Sequence, residues 1–322
     1  MKARIWGARG SLPVALNHRQ VRDKLVTALE GAIGRGLDTP AKVASYVDNE
    51  LSFDVRGTYG GNSSCVEVEA WDPATTTEHI ILDLGSGVRA LAGAKLARYG
   101  AANPQTYHVF MSHLHWDHIM GFPFFTPAYI PGNRIVIYGC HAELETAFRR
   151  QQEPISFPVA FHQLAADIEF VQMEPGVPLK INDVTVTAKL QLHAGDSYGY
   201  RLEQGGKAMV YSTDSEHKLD NAAERLAFVE FFHNADLVIF DAMYSLADCI
   251  SVKADWGHSS SAVGVELCQL AGVHTLCLFH HEPIYDDARI SSVLAETRHY
   301  AEITGEAPLE IVSAYDGMEI TL

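Results

Sequence analysis

Four residues able to bind metal fall within one six-residue string, His113-Leu-His115-Trp-Asp117-His118. A hydrolase that works through two metals must hold two cations close together, typically roughly 3.5–4 Å apart. Imidazoles with one carboxylate form a natural ligand set for zinc. The order lets neighbouring side chains serve different metals. His113 and His115 can point the same way from an extended loop, and Asp117 and His118 sit just beyond, where a helix could begin. Tyr107–Met111 before the string reads as a short buried strand, and Gly121-Phe-Pro-Phe-Phe125 after it is apolar and contains a helix breaker. Ligands in a loop at the carboxyl end of a strand are held by a rigid scaffold and stay open to substrate. Upstream, Ile80-Ile-Leu-Asp-Leu84 reads as another buried strand, running into the tight turn Gly85-Ser-Gly87. Asp83 is a carboxylate in an apolar run and needs a partner. A ligand histidine or a loop amide is the expected donor, and simple turn capping is the alternative.

Together with Ile5-Trp-Gly-Ala-Arg-Gly-Ser11 and Tyr59-Gly-Gly-Asn-Ser-Ser-Cys65, these strings make the chain resemble the metallo-β-lactamase-fold hydrolases. More narrowly, it resembles their phosphodiesterase branch, which includes the tRNA 3′-processing endonuclease RNase Z and the cyclic nucleotide phosphodiesterases. The similarity covers most of the chain except roughly residues 14–56. It implies an α/β fold, a four-layer αββα sandwich, taken here as one domain over 1–322 with a helical insertion near the N-terminus.

The resemblance also implies a ligand set. His193, after Leu190-Gln-Leu, fits the third histidine of the first metal, with His113 and His115. Asp214, ending Val210-Tyr-Ser-Thr, fits the carboxylate that bridges both metals. His280 or His281, ending Leu276-Cys-Leu-Phe, should join Asp117 and His118 on the second metal. His280 is preferred because it directly follows the apolar run. His258, in Trp256-Gly-His-Ser-Ser-Ser261, matches a histidine of the RNase Z branch that contacts the scissile phosphate instead of a metal. Asp241, ending Leu237-Val-Ile-Phe, matches the acidic residue that orients it. Simple capping of the following helix is the competing reading of His258. Asp117 is counted with His258 and Asp241 among the catalytic residues.

The chemistry implied is attack by a metal-bound hydroxide, with His258 assisting the leaving group. Two divalent metals carry four positive charges, and Asp117, Asp214 and a bridging hydroxide offset three. About one excess positive charge would suit an anionic phosphodiester. A lactone, thioester or β-lactam also develops an oxyanion and stays as the alternative substrate class. The position of His115 is a glutamate in diiron flavoprotein relatives, so histidine favours zinc, with manganese or iron still able to replace it.

Bulk properties narrow the partner. Asp and Glu number 40 against 24 Lys and Arg, for a net charge of −16, and the densest basic pair is Arg149-Arg150. A long polyanion is bound mainly through Lys and Arg contacts to phosphates. The basic arm that the RNase Z branch uses for tRNA is not evident. The expected partner is a small anionic phosphodiester such as a cyclic nucleotide, not long nucleic acid. No apolar run approaches the ~20 residues that span a bilayer, so no membrane partner is expected. The start, Met1-Lys-Ala-Arg-Ile-Trp6, reads at once as a strand, not a signal peptide. Cys65, Cys140, Cys249, Cys268 and Cys277 form no Cys-x-x-Cys pattern and fit buried thiols of a reducing, cytoplasmic setting.

The elements that must position these residues read as two strand-rich halves with outer helices. The first half has strands at 2–6, 64–71, 79–84, 107–112 and 135–138. The second has them at 168–172, 183–192, 198–203, 208–212, 237–241, 274–279 and 310–314. Helices are predicted at 87–99, 141–151, 220–233, 260–271 and 286–303. Within 14–56, Val21, Leu25, Leu29 and Ile33 are helix-spaced, and Asp38-Thr39-Pro40 reads as the start of a second helix carrying Val43 and Val47. This helical hairpin could be a homodimer contact, a lid on the site or a decoration, and the sequence does not choose.

Overall fold

The computed structural model describes residues 1–218, 220–244, 257–305 and 308–322; Cys249 and Trp256 lie outside the described residues. Among these residues the strands form two seven-stranded sheets. The first contains β1 (Lys2–Gly7), β2 (Cys65–Glu69), β3 (Glu78–Leu82), β4 (Thr106–Phe110), β5 (Arg134–Gly139), β6 (Asp167–Gln172) and the C-terminal β14 (Glu319–Thr321). Its order is β14-β1-β2-β3-β4-β5-β6. The second contains β7 (Leu179–Ile181), β8 (Val184–Gln191), β9 (Ser197–Gln204), β10 (Lys207–Ser212), β11 (Leu237–Asp241), β12 (Thr275–Phe279) and β13 (Glu310–Ser313), in the order β13-β12-β11-β10-β9-β8-β7.

Side-chain alternation shows why the sheets face each other. In β11, Leu237 and Ile239 point to the core between the sheets, while Val238 and Phe240 point to the outer helices. In β12, Cys277 and Phe279 point inward, and Leu276 and Leu278 outward. A period of two with apolar residues on both faces is what a strand buried on both sides requires. The outer face of the first sheet is covered by α4 (Val88–Tyr99) and α6 (Leu144–Gln151), through Leu91, Leu144 and Phe148. The outer face of the second is covered by α7 (Ala222–Phe232) and α8 (Ser261–Ala271), through Phe228, Phe232 and Val265, with α9 (Asp287–Thr304) packed beside α8. This is the four-layer αββα arrangement of the metallo-β-lactamase fold.

One strand belongs elsewhere than its place in the sequence suggested. The strand at 168–172 was grouped with the second half, but β6 is the edge of the first sheet, parallel to β5 with Ile135 opposite Ile168. The connection contains α6, so these elements form a strand–helix–strand crossover, which needs parallel pairing in one sheet. Three-residue β14, beside β1, is too short to leave a periodic signal.

The topology fixes where loops gather. Strands β3 to β6 are mutually parallel, as are β10 to β13. The carboxyl ends of β3 and β4 therefore open at one edge of the first sheet, and those of β10, β11 and β12 at one edge of the second. Loops at such ends are the usual place for ligands in parallel sheets.

Residues 14–56 hold α1 (His18–Ala32), α2 (Pro40–Asn49) and a short α3 (Phe53–Arg56). Asn17 caps α1 in a reciprocal box with Gln20, and Thr39 caps α2 ahead of Pro40. The apolar row does not face the protein. Val21, Leu25, Leu29 and Ile33 are 44%, 60%, 68% and 80% exposed. The inward face of α1 is instead the row Lys24, Ala28 and Gly31. The Tyr46 hydroxyl of α2 donates to the Ala28 carbonyl at 2.9 Å and lies where a side chain on Gly31 would sit. Lys24 reaches Asp287 of α9 at 2.6 Å.

A buried ion pair fastens α4 to the first sheet. Lys95 pairs with Glu67 of β2, and Glu67 also accepts from the Trp6 indole at 3.0 Å. Removing one member strands a buried charge, at a cost of about 3–5 kcal/mol, whereas an apolar replacement of both is often neutral. Lys95→Met should therefore lower the unfolding free energy in urea by about that amount. The double variant Lys95→Met/Glu67→Leu should recover most of it, and an equally large loss in both would show that the pair is not the fastening.

Candidate metal centre

The loop after β4 carries the six-residue string. Its helix is short, α5 (Trp116–Ile119), with His115 at its N-cap position. The cap separates the ligands: His115 stays exposed in the extended stretch, while Asp117 and His118 turn inward and are buried.

Four overlapping groups of ligand atoms form, each within 4.8 Å; two hold the seven expected ligands, and two add His258, once with His193 and Asp214 and once with Asp241 and His280. Of the first two, one is His113, His115 and His193; the other is Asp117, His118, Asp214 and His280. Asp214 stands between them. Its Oδ1 lies 3.1 Å from His118 Nε2 and 3.2 Å from His280 Nε2, while its Oδ2 lies 3.6 Å from His113 Nε2 and 3.8 Å from His193 Nε2. One carboxylate thus offers an oxygen to each group.

The hydrogen bonds choose the ring nitrogens. Asp83 is fully buried and accepts four bonds: from the Ser112 amide and hydroxyl, both at 2.7 Å, and from His118 Nδ1 and the Tyr211 hydroxyl, both at 2.8 Å. It meets both a ligand histidine and a loop amide. His193 Nδ1 donates to the Gly257 carbonyl at 2.8 Å, because a carbonyl can only accept. Both rings therefore turn Nε2 toward the cluster. His113 Nε2 and His118 Nε2 are buried there without a hydrogen-bond partner among the described residues. Buried polar atoms are normally satisfied, and imidazole nitrogens beside carboxylates are what divalent metals bind, displacing any proton there. The donor set fits two metals.

Electrostatics agree. Burial, joined by the neighbouring imidazoles, holds His113 well below its ordinary pKa, in the neutral form a ligand needs. Burial opposes charge on His118, but Asp117, Asp214 and Asp83 outweigh it and raise its pKa well above normal. Burial likewise works against ionised Asp214, and the neighbouring His280 and His118 overcome it, leaving its pKa well below the usual carboxylate value. The centre is an anionic cage that calls for positive charge.

His280 and His281 part ways. His280, at φ 61°, turns its Nε2 to within 3.4 Å of Asp117 and 3.2 Å of Asp214. His281 points away, its Nε2 donating to the Ala314 carbonyl at 2.9 Å. Burial pushes the His281 pKa down to about 3.

His258 stands over the cluster and is not part of the seven. Its Nδ1 is 2.7 Å from Asp241 Oδ2, and its ring centre is 5.1 Å from those of both His193 and His280. Burial opposes its charge, but Asp241 dominates and pushes its pKa up to about 9. The helix-capping alternative fails, since the N-cap of α8 is Ser260, whose side chain accepts from Val263.

Several supporting residues had no assigned role in the sequence. Tyr211 sits in an apolar strand, yet its hydroxyl crosses between the sheets to Asp83. Gln191 is buried two residues before His193, and its amide donates to the Thr213 carbonyl at 2.7 Å, beside Asp214. A buried glutamine in a strand leading to a ligand was a readable signal. Ser11, in an exposed stretch, donates its backbone amide to Asp117 Oδ2 at 2.9 Å, which no side-chain pattern reveals.

Metal content should separate these roles. Asp214→Ala should reduce occupancy at both positions, because its two oxygens face different groups. His280→Ala should lose one metal and His281→Ala none. Full loading of Asp214→Ala in elemental analysis, or a greater loss from His281→Ala than from His280→Ala, would contradict the geometry.

The comparisons with known proteins agree. Residues 78–281 match the β-lactamase superfamily domain. Ribonuclease Z of Oceanobacillus iheyensis is 21% identical over 243 residues, covering 59% of this chain and 76% of that protein. The probable metallo-hydrolase YhfI of Bacillus subtilis is 25% identical over 249 residues, covering 74% of this chain and 91% of that protein. The crystal structure of YhfI, described as a metallo-β-lactamase fold protein, matches with a TM-score of 0.62 at 18% identity, covering 99% of this chain and 98% of that one. Unliganded yeast PDE1 matches with a TM-score of 0.60 at 15% identity, covering 81% and 95%. The chain belongs to the β-lactamase superfamily and is a metal-dependent hydrolase.

Proposed function

We propose that the chain hydrolyses a small phosphodiester, with cyclic nucleotides the leading natural substrates. The observation that carries this reading is the Asp241–His258 pair, 2.7 Å apart, above a cluster that fits two metals. His113, His115 and His193 would hold one metal, and Asp117, His118 and His280 the other, with Asp214 between. Bound there, two divalent cations, zinc in this reading with manganese or iron as alternatives, lower the pKa of a bound water from 15.7 to ~7 and draw charge from phosphoryl oxygens. Asp241 holds the proton on His258 Nδ1, so the opposite ring nitrogen is the one presented to a leaving oxygen. A phosphodiester with an alkoxide leaving group needs such a donor more than a thioester does, whose thiolate leaves without protonation.

Charge alone does not choose the substrate. The single excess positive charge expected from the ligands turns into about one excess negative charge once Asp83 and Asp241, both fully buried, are included. Other observations support a small anion. Asp and Glu outnumber Lys and Arg 40 to 24, which disfavours a long polyanion. A cavity of about 280 Å³ lies between Pro13, Arg89, Met120 and Phe124, at the end of the helix that carries Asp117 and His118. The Arg89 guanidinium there has no ion-pair or hydrogen-bond partner among the described residues. Relatives named ribonuclease Z support phosphodiester chemistry, while a lactone, thioester or β-lactam substrate remains the alternative.

Loss of a general acid typically costs about 10²–10⁴-fold in rate. His258→Ala should keep its metals and lose about that much turnover on a cyclic nucleotide. The loss should shrink on bis-p-nitrophenyl phosphate, whose leaving group needs little protonation. Equal losses on both substrates would remove the acid role. Turnover of a lactone or thioester with no phosphodiester hydrolysed would overturn the reading in favour of the alternative.

A further inference from the structure

The residues following β1 reach across to the second sheet. The His281 amide donates to the Ala8 carbonyl at 2.9 Å, and the Gly10 amide donates back to the His281 carbonyl at 3.0 Å. This short bridge grips the residue next to His280. Gly10 lies flat against the His280 ring: a side-chain carbon there would sit 2.5 Å from Cε1 and 2.6 Å from Nδ1. Only glycine leaves the ring where it is. Ser11, at φ 55°, then turns its amide to Asp117 Oδ2 at 2.9 Å. That oxygen is the one 3.2 Å from His118 Nε2 and 3.4 Å from His280 Nε2. One short stretch therefore touches two ligands of the second group. No hydrogen bond from it to His113, His115 or His193 occurs among the described residues.

The stretch is anchored by Arg9, which is 2% exposed. Its guanidinium donates to the Gly60 carbonyl at 2.9 Å and the Tyr285 carbonyl at 2.7 Å, and lies 3.9 Å from Asp287. Asp287 in turn meets Lys24 of α1 at 2.6 Å. The helical segment that the sequence left unexplained is thus joined, through Lys24, Asp287 and Arg9, to the backbone that sets His280 and Asp117.

We propose that Arg9, Gly10 and Ser11 form a positioning strut for the second metal position alone, and that α1 braces this strut through Lys24. The strut rests on the two-metal reading but not on the identity of the substrate. Groups that orient ligands from behind are worth about 10–100-fold in metal affinity. Three variants test the strut by metal content and chelator competition, with folding followed by circular dichroism. Gly10→Ala pushes on the His280 ring, Arg9→Lys keeps the charge but loses the planar fork, and Lys24→Met cuts the brace.

Gly10→Ala and Arg9→Lys should each fall from two metals per chain toward one, with the affinity of the second metal weakened by about 10–100-fold and the first unchanged. Lys24→Met should hold both metals but release one to chelator faster than wild type does. If Gly10→Ala fails to fold, Arg9→Lys decides. Folded variants that keep both metals at wild-type affinity, or weaken both equally, would overturn the strut, and unchanged release in Lys24→Met would overturn the brace. A wild-type chain that loads only one metal would remove the second position and the strut with it. Absence of phosphodiester turnover, with these metal results intact, would sink the substrate assignment alone.

Discussion

Asp83, Asp117, Asp214 and Asp241 are all buried at one place, and among the described residues no lysine or arginine pairs with any of them there. Burying an ionised carboxylate is costly unless it is paired and hydrogen-bonded. Here the compensation comes from imidazoles and from donors that converge from both sheets: Ser112 at the end of β4, Tyr211 in β10, and the amides of Ser11 and Ser215. The rest of the structure follows from this constraint. Two sheets must meet with their parallel strands ending on the same side, because neither alone supplies the full set: loops of the first give Asp83, His113, His115, Asp117 and His118, and strand ends of the second give His193, Asp214, Asp241 and His280. Divalent cations complete the balance, which makes metal binding and the stability of this edge parts of one problem.

The backbone carries part of that cost. Ser11, Asp83, Asp214 and His280 all sit at positive φ without being glycine. Such residues are uncommon and persist where surrounding contacts over-determine them. Each of the four ends or follows a strand, and each makes or positions a ligand contact in the second group. The left-handed residue breaks the strand and redirects the next group sideways into the cleft. His280 shows the effect. Simple strand alternation would set adjacent histidines on opposite faces; the turn at His280 swings its ring to Asp214 and leaves His281 facing Ala314.

What was legible in the sequence follows from what leaves a side-chain signal. The candidate ligands left two kinds of signal: the six-residue string His113–His118 restricts residue type, and His193, Asp214 and His280 each follow an apolar run at the place the family resemblance implies. Most strands and helices were readable from period, to within a few residues. The sheet that owns β6 was not, since strand pairing is a long-range choice that local pattern does not encode. The helix spacing of Val21, Leu25, Leu29 and Ile33 was read correctly as a helix, but the inward side of α1 is set by Lys24 and by small residues beneath Tyr46. Apolar spacing reports a helical stripe, not which stripe finds a partner. The strut was hidden for another reason: Gly10 acts through the side chain it lacks, and Ser11 through its backbone.

The placement of His258 bears on how one fold can keep its metals and still vary its chemistry. The seven candidate ligands arise from loops whose positions are tied to strand ends, so they can change little without disturbing the carboxylate cage. His258 is different. It enters from the start of α8 and is held by one bond to Asp241, the last residue of β11. Asp241 also accepts from the Ser215 amide at 3.1 Å, next to Asp214. One carboxylate therefore sets the histidine and steadies the loop of the shared ligand. This couples the position of the proposed leaving-group acid to that of the Asp214 oxygens, and proton donation to a leaving oxygen would require that alignment.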